Sequence, residues 1–328
     1  MIRRPPRSTQ GVSSAASDVY KRQSVVRGSQ QGESHGGIYL VDFEKQIAEL
    51  MVDWDDSGID FTGRGWDRGL RGIEFSGGEI FIAASDEIFV YDLEFKVKRS
   101  YKNTFLKHAH EINKHENLLF VTSTGCDSIL VFDLDRDEFT RGIHLRKTPK
   151  GWKSQLFDPQ TEDGPQMANN LHLNNVRCSK KGLFTSGLRT DALIHLDSDL
   201  NANEYCSLPQ GTHNARPFRK GVIFNDTQAD CVRAVSREGE ETNLVIPRYE
   251  DDELTHTDLD DSRIARQGFA RGLCLFDQNL IAVGSSPSTI SLFDLEQKAR
   301  IGSVNLSMDI RNAIHGLEVW PYEGVLDS

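Results

Sequence analysis

"NLLFVTSTGCDSILVFDLD", residues 117–135, decides the fold. Two short apolar runs, Leu118–Thr122 and Ile129–Phe132, flank a turn of Ser, Thr, Gly, Cys and Asp, and the second run stops at Asp133. β-branched and aromatic residues in period two, bounded by turn residues, read as paired strands. The second half recurs as "GIYLVDFE" (37–44), "EIFVYDLE" (87–94), "ALIHLDSD" (192–199) and "TISLFDLE" (289–296). The first half recurs as "EIFIAAS", "KGLFTSGL", "QNLIAVGSS" and, in a unit whose third strand near "CVRAVSRE" is degenerate, "KGVIFNDT".

A further segment precedes these pairs: "LRGIEFSGG", "AHEINKHEN", "LHLNNVRCSKKG", "THNARPFRKG", "ARGLCLFDQN" and "IHGLEVWPYEG". The last has no second strand after it. The chain's beginning, "SVVRGSQQ", "GGIYLVDFE" and "AELMVDWDD", has no first strand before it. The ends complement each other, so the C-terminal strand is expected to close the N-terminal blade and abolish a free sheet edge. The fold class is therefore all-β, a six-bladed β-propeller of about four strands per blade. Over residues 24–328 the chain resembles, in architecture, the six-bladed group that includes NHL, strictosidine-synthase-like and lactonase-like propellers. It carries no diagnostic motif of one family, and fold alone does not give function.

Residues 1–23, "MIRRPPRSTQGVSSAASDVYKRQ", are set apart as a basic, Ser-rich tail without apolar periodicity. They read as translated adapter sequence, expected to be disordered, which leaves residues 24–328 as one propeller domain. The chain has 328 residues and a formal net charge of −11, which argues against a nucleic-acid partner. No apolar run is long enough for a membrane span. Five cysteines without a C-x-x-C pair suit a reduced compartment, with the cytoplasm favoured. The oligomeric state is not legible.

Aligning the six first strands exposes one column: Arg71, His110, His172, His213, Arg271 and His315. Innermost strands surround the axis, so equivalent positions converge on one ring. Four neutral imidazoles there are expected to form a site for a divalent transition metal, iron most favoured, with copper, manganese or zinc as alternatives. Arg71 and Arg271 cannot deprotonate and carry fork-shaped donors. They are expected to anchor a small anionic substrate, joined by Arg189 from a neighbouring loop. Gly72, Gly272 and Gly316 each follow a column residue and would allow close backbone approach.

His108, two positions before His110, would show its side chain to the same face of a strand, as a proton shuttle or a further ligand. Asp226 is the candidate general base, or an acceptor behind a ligand. Asp127, Asp191 and Gln228 share its loop level, and Asn174 and Asn214 adjoin the column. Column spacings of 39, 62, 41, 58 and 44 residues reveal two insertions, 147–170 and 248–269. Both are expected on the face where the column emerges, with Trp152, Phe157 and Trp66 as a stacking wall. His35, His115, His144, His195 and His256 fall outside the column.

The four-histidine axis resembles the carotenoid-oxygenase-like proteins, whose propellers hold ferrous iron with four histidines. His110, His172, His213 and His315 would take that part here. Six blades rather than seven, a shorter chain and two axial arginines depart from that family and disfavour a polyene substrate. The expected function is a metal-dependent enzyme acting on a small anionic molecule, as an oxygenase or as a Lewis-acid lyase, isomerase or hydrolase. The alternative is a non-catalytic scaffold binding a peptide, protein or small ligand, with arginine side chains or loops filling the axis.

Overall fold

The computed structural model describes residues 19–27, 29, 33–55, 69–258 and 266–322. Its strands form six antiparallel sheets arranged as a six-bladed β-propeller. The first blade joins both ends of the chain, in the order β25 (Asn312–Val319), β1 (Val19–Val26), β2 (Gly36–Asp42) and β3 (Ile47–Asp53). β1 pairs with β25 from Tyr20–Val319 to Val26–Asn312, so the last strand is the innermost strand of the first blade. β1 begins at Val19, so the last five residues of the segment set apart as a tail pair with β2.

The second blade runs β4 (Ile73–Ser76), β5 (Glu79–Ala84), β6 (Glu87–Tyr91) and β7 (Val97–Lys102). The third has five strands, β8 (Ala109–His115), β9 (Leu118–Ser123), β10 (Ser128–Asp133), β11 (Glu138–Thr148) and β12 (Gly151–Phe157). The fourth is β13 (Leu173–Ser179), β14 (Gly182–Gly187), β15 (Ala192–Leu196) and β16 (Ala202–Ser207). The fifth is β17 (Thr212–Phe218), β18 (Gly221–Asp226), β19 (Cys231–Ser236) and β20 (Glu241–Val245). The sixth is β21 (Arg271–Leu275), β22 (Leu280–Ser285), β23 (Thr289–Asp294) and β24 (Ala299–Asn305). Among the described residues no helix is long and apolar enough to cross a membrane.

The recurrent aspartate has a local cause. Each third strand must turn sharply into the fourth, and a short carboxylate can accept the turn's backbone N–H groups. Asp42 accepts from Lys45, Asp92 from Lys96, Asp133 from Asp135 and Arg136, Asp197 from Asp199 and Asn201, and Asp294 from Glu296 and Gln297. In the fifth blade Ser236 does this work, accepting from Glu238 and Glu240. β19 is therefore a regular strand whose turn uses a hydroxyl, which is why its sequence looked degenerate.

Apolar residues pack between blades. Phe81, Ile88 and Val90 of the second blade meet Leu119, Val121, Leu130 and Phe132 of the third in one buried cluster. Corresponding clusters fill the other five junctions around the circle. This burial is the main stabilising term.

The inner strands also stitch each blade to the next through polar side chains three residues beyond the histidine–arginine column. Glu74 Oε2 accepts from Lys114 N at 2.8 Å, and Asn113 Oδ1 from Cys178 N at 2.6 Å. Asn175 Nδ2 donates to Ala215 O at 2.5 Å, and Arg216 Nη2 donates to Leu273 O. Cys274 Sγ lies 3.7 Å from Glu318 Oε1. Each contact crosses from one innermost strand to its successor. Asn175 is 1% exposed, so Asn175→Ala would leave the Ala215 carbonyl unpaired and remove a blade-to-blade tie. Denaturant unfolding is expected to show a loss of about 1–3 kcal/mol.

Candidate functional site at the propeller axis

The column residues lie near the starts of the six innermost strands, where the regular period-two alternation fails. The strand pairings shift register between Ala109 and Ile112, Leu173 and Asn175, His213 and Arg216, and Arg271 and Leu273. A bulge re-aims the side chains beside it. His172 and Asn214 adopt left-handed backbone conformations, with φ of 54° for both. Gly72 and Gly272 bear out the expected close approach: a Cβ on Gly72 would stand 2.8 Å from His110 O, and one on Gly272 3.1 Å from His315 O.

The site brings arginines and histidines together in pairs. Arg71 Nη1 lies 2.7 Å from His110 Nε2, and Arg271 Nη1 is hydrogen-bonded to His315 Nε2. Each pair again joins successive innermost strands. A guanidinium can only donate, so both Nε2 atoms accept and the ring proton sits on Nδ1. His110 Nδ1 donates to His108 O and Thr124 Oγ1, both at 2.8 Å. His213 Nδ1 donates to Gly211 O at 3.0 Å, and His172 Nδ1 to Asn169 Oδ1 at 3.0 Å. The His110 and His172 rings meet edge to face, 5.3 Å between centroids.

His110, His213 and His315 are buried, and each is held neutral. Burial is the first cause, depressing their pKa values well below that of ordinary histidine. The positive charge of Arg71 acts next on His110, and that of Arg271 on His213 and His315. Among the described side chains of the ring, two imidazole nitrogens are buried without a hydrogen-bond partner: the lone-pair Nε2 of His213 and the Nδ1–H of His315.

The remaining expected residues fall as follows. β8 begins at Ala109, and His108 precedes it with φ of 53°, outside the extended alternation on which the shared face was predicated. Its carbonyl supports His110. Asp226 is 2% exposed, and its Oδ1 accepts from Gln228 N and Ala229 N. Its Oδ2 meets Arg233 Nε at 3.0 Å, so the carboxylate serves a turn and an ion pair. Arg189 is exposed and donates to Asn169 O, the residue that holds His172. Asp127 secures the approach to His172 by accepting from the amides of Asn170, Leu171 and His172. Asn174 Nδ2 donates to Thr212 O, and Asn214 Oδ1 accepts from Asn225 Nδ2 and Gly272 N.

The first insertion contributes no aromatic wall at the axis. It extends β11 and adds β12 as the outermost strand of its blade, carrying Trp152 and Phe157. Phe157 packs on Phe105 with ring centroids 5.0 Å apart. Trp66 lies outside the described residues. Among the described residues, the aromatic side chain beside His213 is Phe269, from the end of the second insertion, with its centroid 6.0 Å from that of His213. Its position two residues before Arg271 was the available signal.

Among the described residues, no three histidine, cysteine or carboxylate side chains are placed together to hold a metal ion. The donor types suit a transition metal, but Arg71 and Arg271 occupy the Nε2 positions of His110 and His315. The arrangement as it stands does not fit a four-histidine metal.

Beneath the ring, Glu111 accepts from Asn214 Nδ2 at 2.8 Å. Burial pushes its carboxyl up to about 7, against the pull of Arg177 and Arg216 and with the push of Glu318. Sequence reasoning missed this layer.

No protein-family model matches the sequence, and no curated protein matches it. Among solved structures, the chain is similar to one in a nidogen/laminin complex, with 10% identity, a TM-score of 0.55, and 92% of this chain and 98% of that one covered. It is also similar to a protein of unknown function from Bacteroides caccae, with 10% identity, a TM-score of 0.54, and 92% and 100% covered. Virginiamycin B lyase from Staphylococcus aureus aligns at 13% identity and a TM-score of 0.40, with 70% and 71% covered. Likeness at these identities establishes the propeller fold and nothing about the reaction.

Two pH effects follow. The unfolded chain takes up protons on these three histidines near pH 6.5, whereas the folded chain holds them neutral to lower pH. Their contribution to stability is therefore present above pH 6.5 and lost as pH falls below it. His213→Gln is expected to flatten this acid-side loss in denaturant titrations at pH 5 and 7. Glu111 acts with opposite sign, since its folded pKa is raised: its contribution is present below about pH 4.5 and lost as pH rises through about 7. Glu111→Gln is expected to flatten that alkaline-side loss in the same titrations extended to pH 8.

Proposed function

We propose that this propeller is an enzyme acting by proton transfer on a small anionic substrate, with Arg71 and Arg271 docking the anion and His213 serving as base. The observation that carries the reading is the state of His213. Its Nδ1–H is committed to Gly211 O, and its Nε2 lone pair is buried at the axis without a hydrogen-bond partner. A neutral imidazole fixed in one tautomer beside guanidinium groups is a base held ready for use. Nε2 would take a proton from the substrate or from a water. The charge left behind would lie beside Arg71 and Arg271, with the His315 Nδ1–H as a further donor to the developing oxyanion. Many lyase, isomerase and hydrolase reactions begin with such a step.

A second reading keeps the metal. His110, His172 and His213 each donate Nδ1–H to an oxygen, the anchoring that metal-bound histidines share. A divalent ion, iron foremost, would then need Arg71 and Arg271 to withdraw from His110 and His315. Elemental analysis giving about one equivalent of bound iron, copper, manganese or zinc would favour this reading.

The principal test measures binding of acetate and phosphate by calorimetry. It also follows deuterium exchange next to the carboxylate in a panel of small 2-oxo and 3-hydroxy acids. Arg271→Gln is expected to weaken anion binding about tenfold. His213→Gln is expected to leave acetate binding within about twofold but to slow exchange at least a hundredfold, the lower end of what general-base catalysis contributes. Anion binding with no exchange in any member of the panel would leave a binding scaffold.

A further inference from the structure

The strand registers mark equivalent positions around the circle. Ile38 pairs with Val52, Ile88 with Tyr101, Ile129 with Ile143, Leu193 with Cys206, Val232 with Leu244, and Ile290 with Val304. The fourth-strand member of each pair packs in one cluster with a third-strand residue of the next blade. Five junctions thereby join Val52 with Tyr91, Tyr101 with Phe132, Ile143 with Leu196, Leu244 with Phe293, and Val304 with Val41. At least one of the two is buried in every case. The Tyr101 and Phe132 rings meet with centroids 4.6 Å apart. Between the fourth and fifth blades the same two positions hold Cys206 and Val235, and both are half-buried.

Facing sheets stand about 10 Å apart, so short side chains on both leave a flat space between them. A cavity of about 560 Å³ lies there, lined by Cys206, Ser207 and Val235 and by the buried Val222 and Phe224. Its volume falls within the ~300–1,000 Å³ typical of small-molecule sites. The charges around it cancel. Arg233 Nε stands 3.0 Å from Asp226 Oδ2 and Arg233 Nη1 3.6 Å from Glu241 Oε2. The lining's other guanidinium, Arg237, is matched in number by Glu204. Burial pushes the Cys206 thiol up to about 11, so it too stays uncharged. On the fourth-blade side, His195 stacks on Phe184 with ring centroids 4.6 Å apart. Its Nε2–H donates to Lys181 O at 2.6 Å, which leaves Nδ1 of the neutral ring as an acceptor.

We propose that the slot between the fourth and fifth blades is a second binding site, for a small uncharged aromatic molecule carrying one N–H or O–H donor. None of the axial histidines or arginines lines it, so the inference stands apart from the anion-site reading. A planar ring is the shape that restores the packing contacts Tyr101 and Phe132 make between the second and third blades. The balanced charges of the lining match a neutral ligand, since a charged one would lose its hydration without a counterion. The His195 Nδ1 acceptor matches the donor.

The test titrates indole, 1-methylindole and indole-3-carboxylate into the full chain by calorimetry, and repeats this on Cys206→Tyr, Cys206→Ser and His195→Phe. Cys206→Tyr fills the slot with the side chain found at the equivalent position of the second blade. Indole is expected to bind the parent chain and Cys206→Ser within about twofold of each other, and Cys206→Tyr at least tenfold more weakly. The parent should prefer indole to 1-methylindole about threefold, and His195→Phe should lose that preference. Thermal melting checks that Cys206→Tyr is folded, and Val235→Phe replaces it as the filling variant if it is not. Indole that binds a folded filling variant as tightly as the parent would overturn the site. So would a parent chain that binds no indole. Tighter binding of indole-3-carboxylate than of indole would overturn the neutral ligand, and equal affinity for indole and 1-methylindole would overturn the donor. A parent chain that dimerises in sedimentation, beside a monomeric Cys206→Tyr chain, would give the slot to a second copy and overturn the proposal as well.

Discussion

Six innermost strands must meet around one axis, and their backbones arrive there side by side with polar groups that no sheet pairs. The belt of side chains from Glu74, Asn113, Asn175, Arg216 and Cys274, each reaching the next blade's inner strand, answers that constraint. The apolar clusters between blades supply more of the stability, but they are non-directional. The belt fixes the angular position of each inner strand against its neighbour. The ring above uses the same device, with Arg71 reaching His110 and Arg271 reaching His315. Site and scaffold are therefore two levels of one stitching pattern, and the base proposed for the ring, His213 Nε2, is a group this pattern does not use.

Much of the fold could be read directly because the turn aspartates and paired apolar runs are local signals repeated in every blade. The Ser236 turn shows how such a signal is lost: a hydroxyl replaces the carboxylate, and the strand before it stops looking like its siblings. The alignment of Arg71, His110, His172, His213, Arg271 and His315 drew on the same repeat, and the structure joins Arg71 to His110 and Arg271 to His315. The belt was not legible, although its residues stand three positions after the column in every blade. Strict alternation forbids that spacing on one face. The bulges at the strand starts permit it, and bulges leave no simple mark in the residues. His108 misled for the related reason that its left-handed backbone places it before the strand.

The electrostatics of the ring explain why imidazole and guanidinium share one column. A guanidinium cannot lose its proton, so a histidine bonded to it must accept, and the pair carries one charge rather than two. Burial and the adjacent cations depress the basicity of His110, His213 and His315 together. The outcome is a ring in which guanidinium groups stand beside neutral bases. In Glu111 the same burial favours the uncharged acid and so raises the pKa instead of lowering it. The pKa values at the two levels of the channel are thus shifted in opposite directions, and only the Glu111 level titrates near neutrality.

The pairing of β1 with β25 has a kinetic side. Residues of β1 are among the first of the described chain to be made, and their partners, Asn312 to Val319, are among the last. Until the final strand emerges, one edge of β1 has no neighbour and the first blade lacks its inner strand. Contacts of such separation are slow to form because the entropy of closing the loop precedes any return from the contact. The circle cannot ratchet shut blade by blade. It must wait for its ends, and an unpaired strand edge presented during that wait invites pairing between chains.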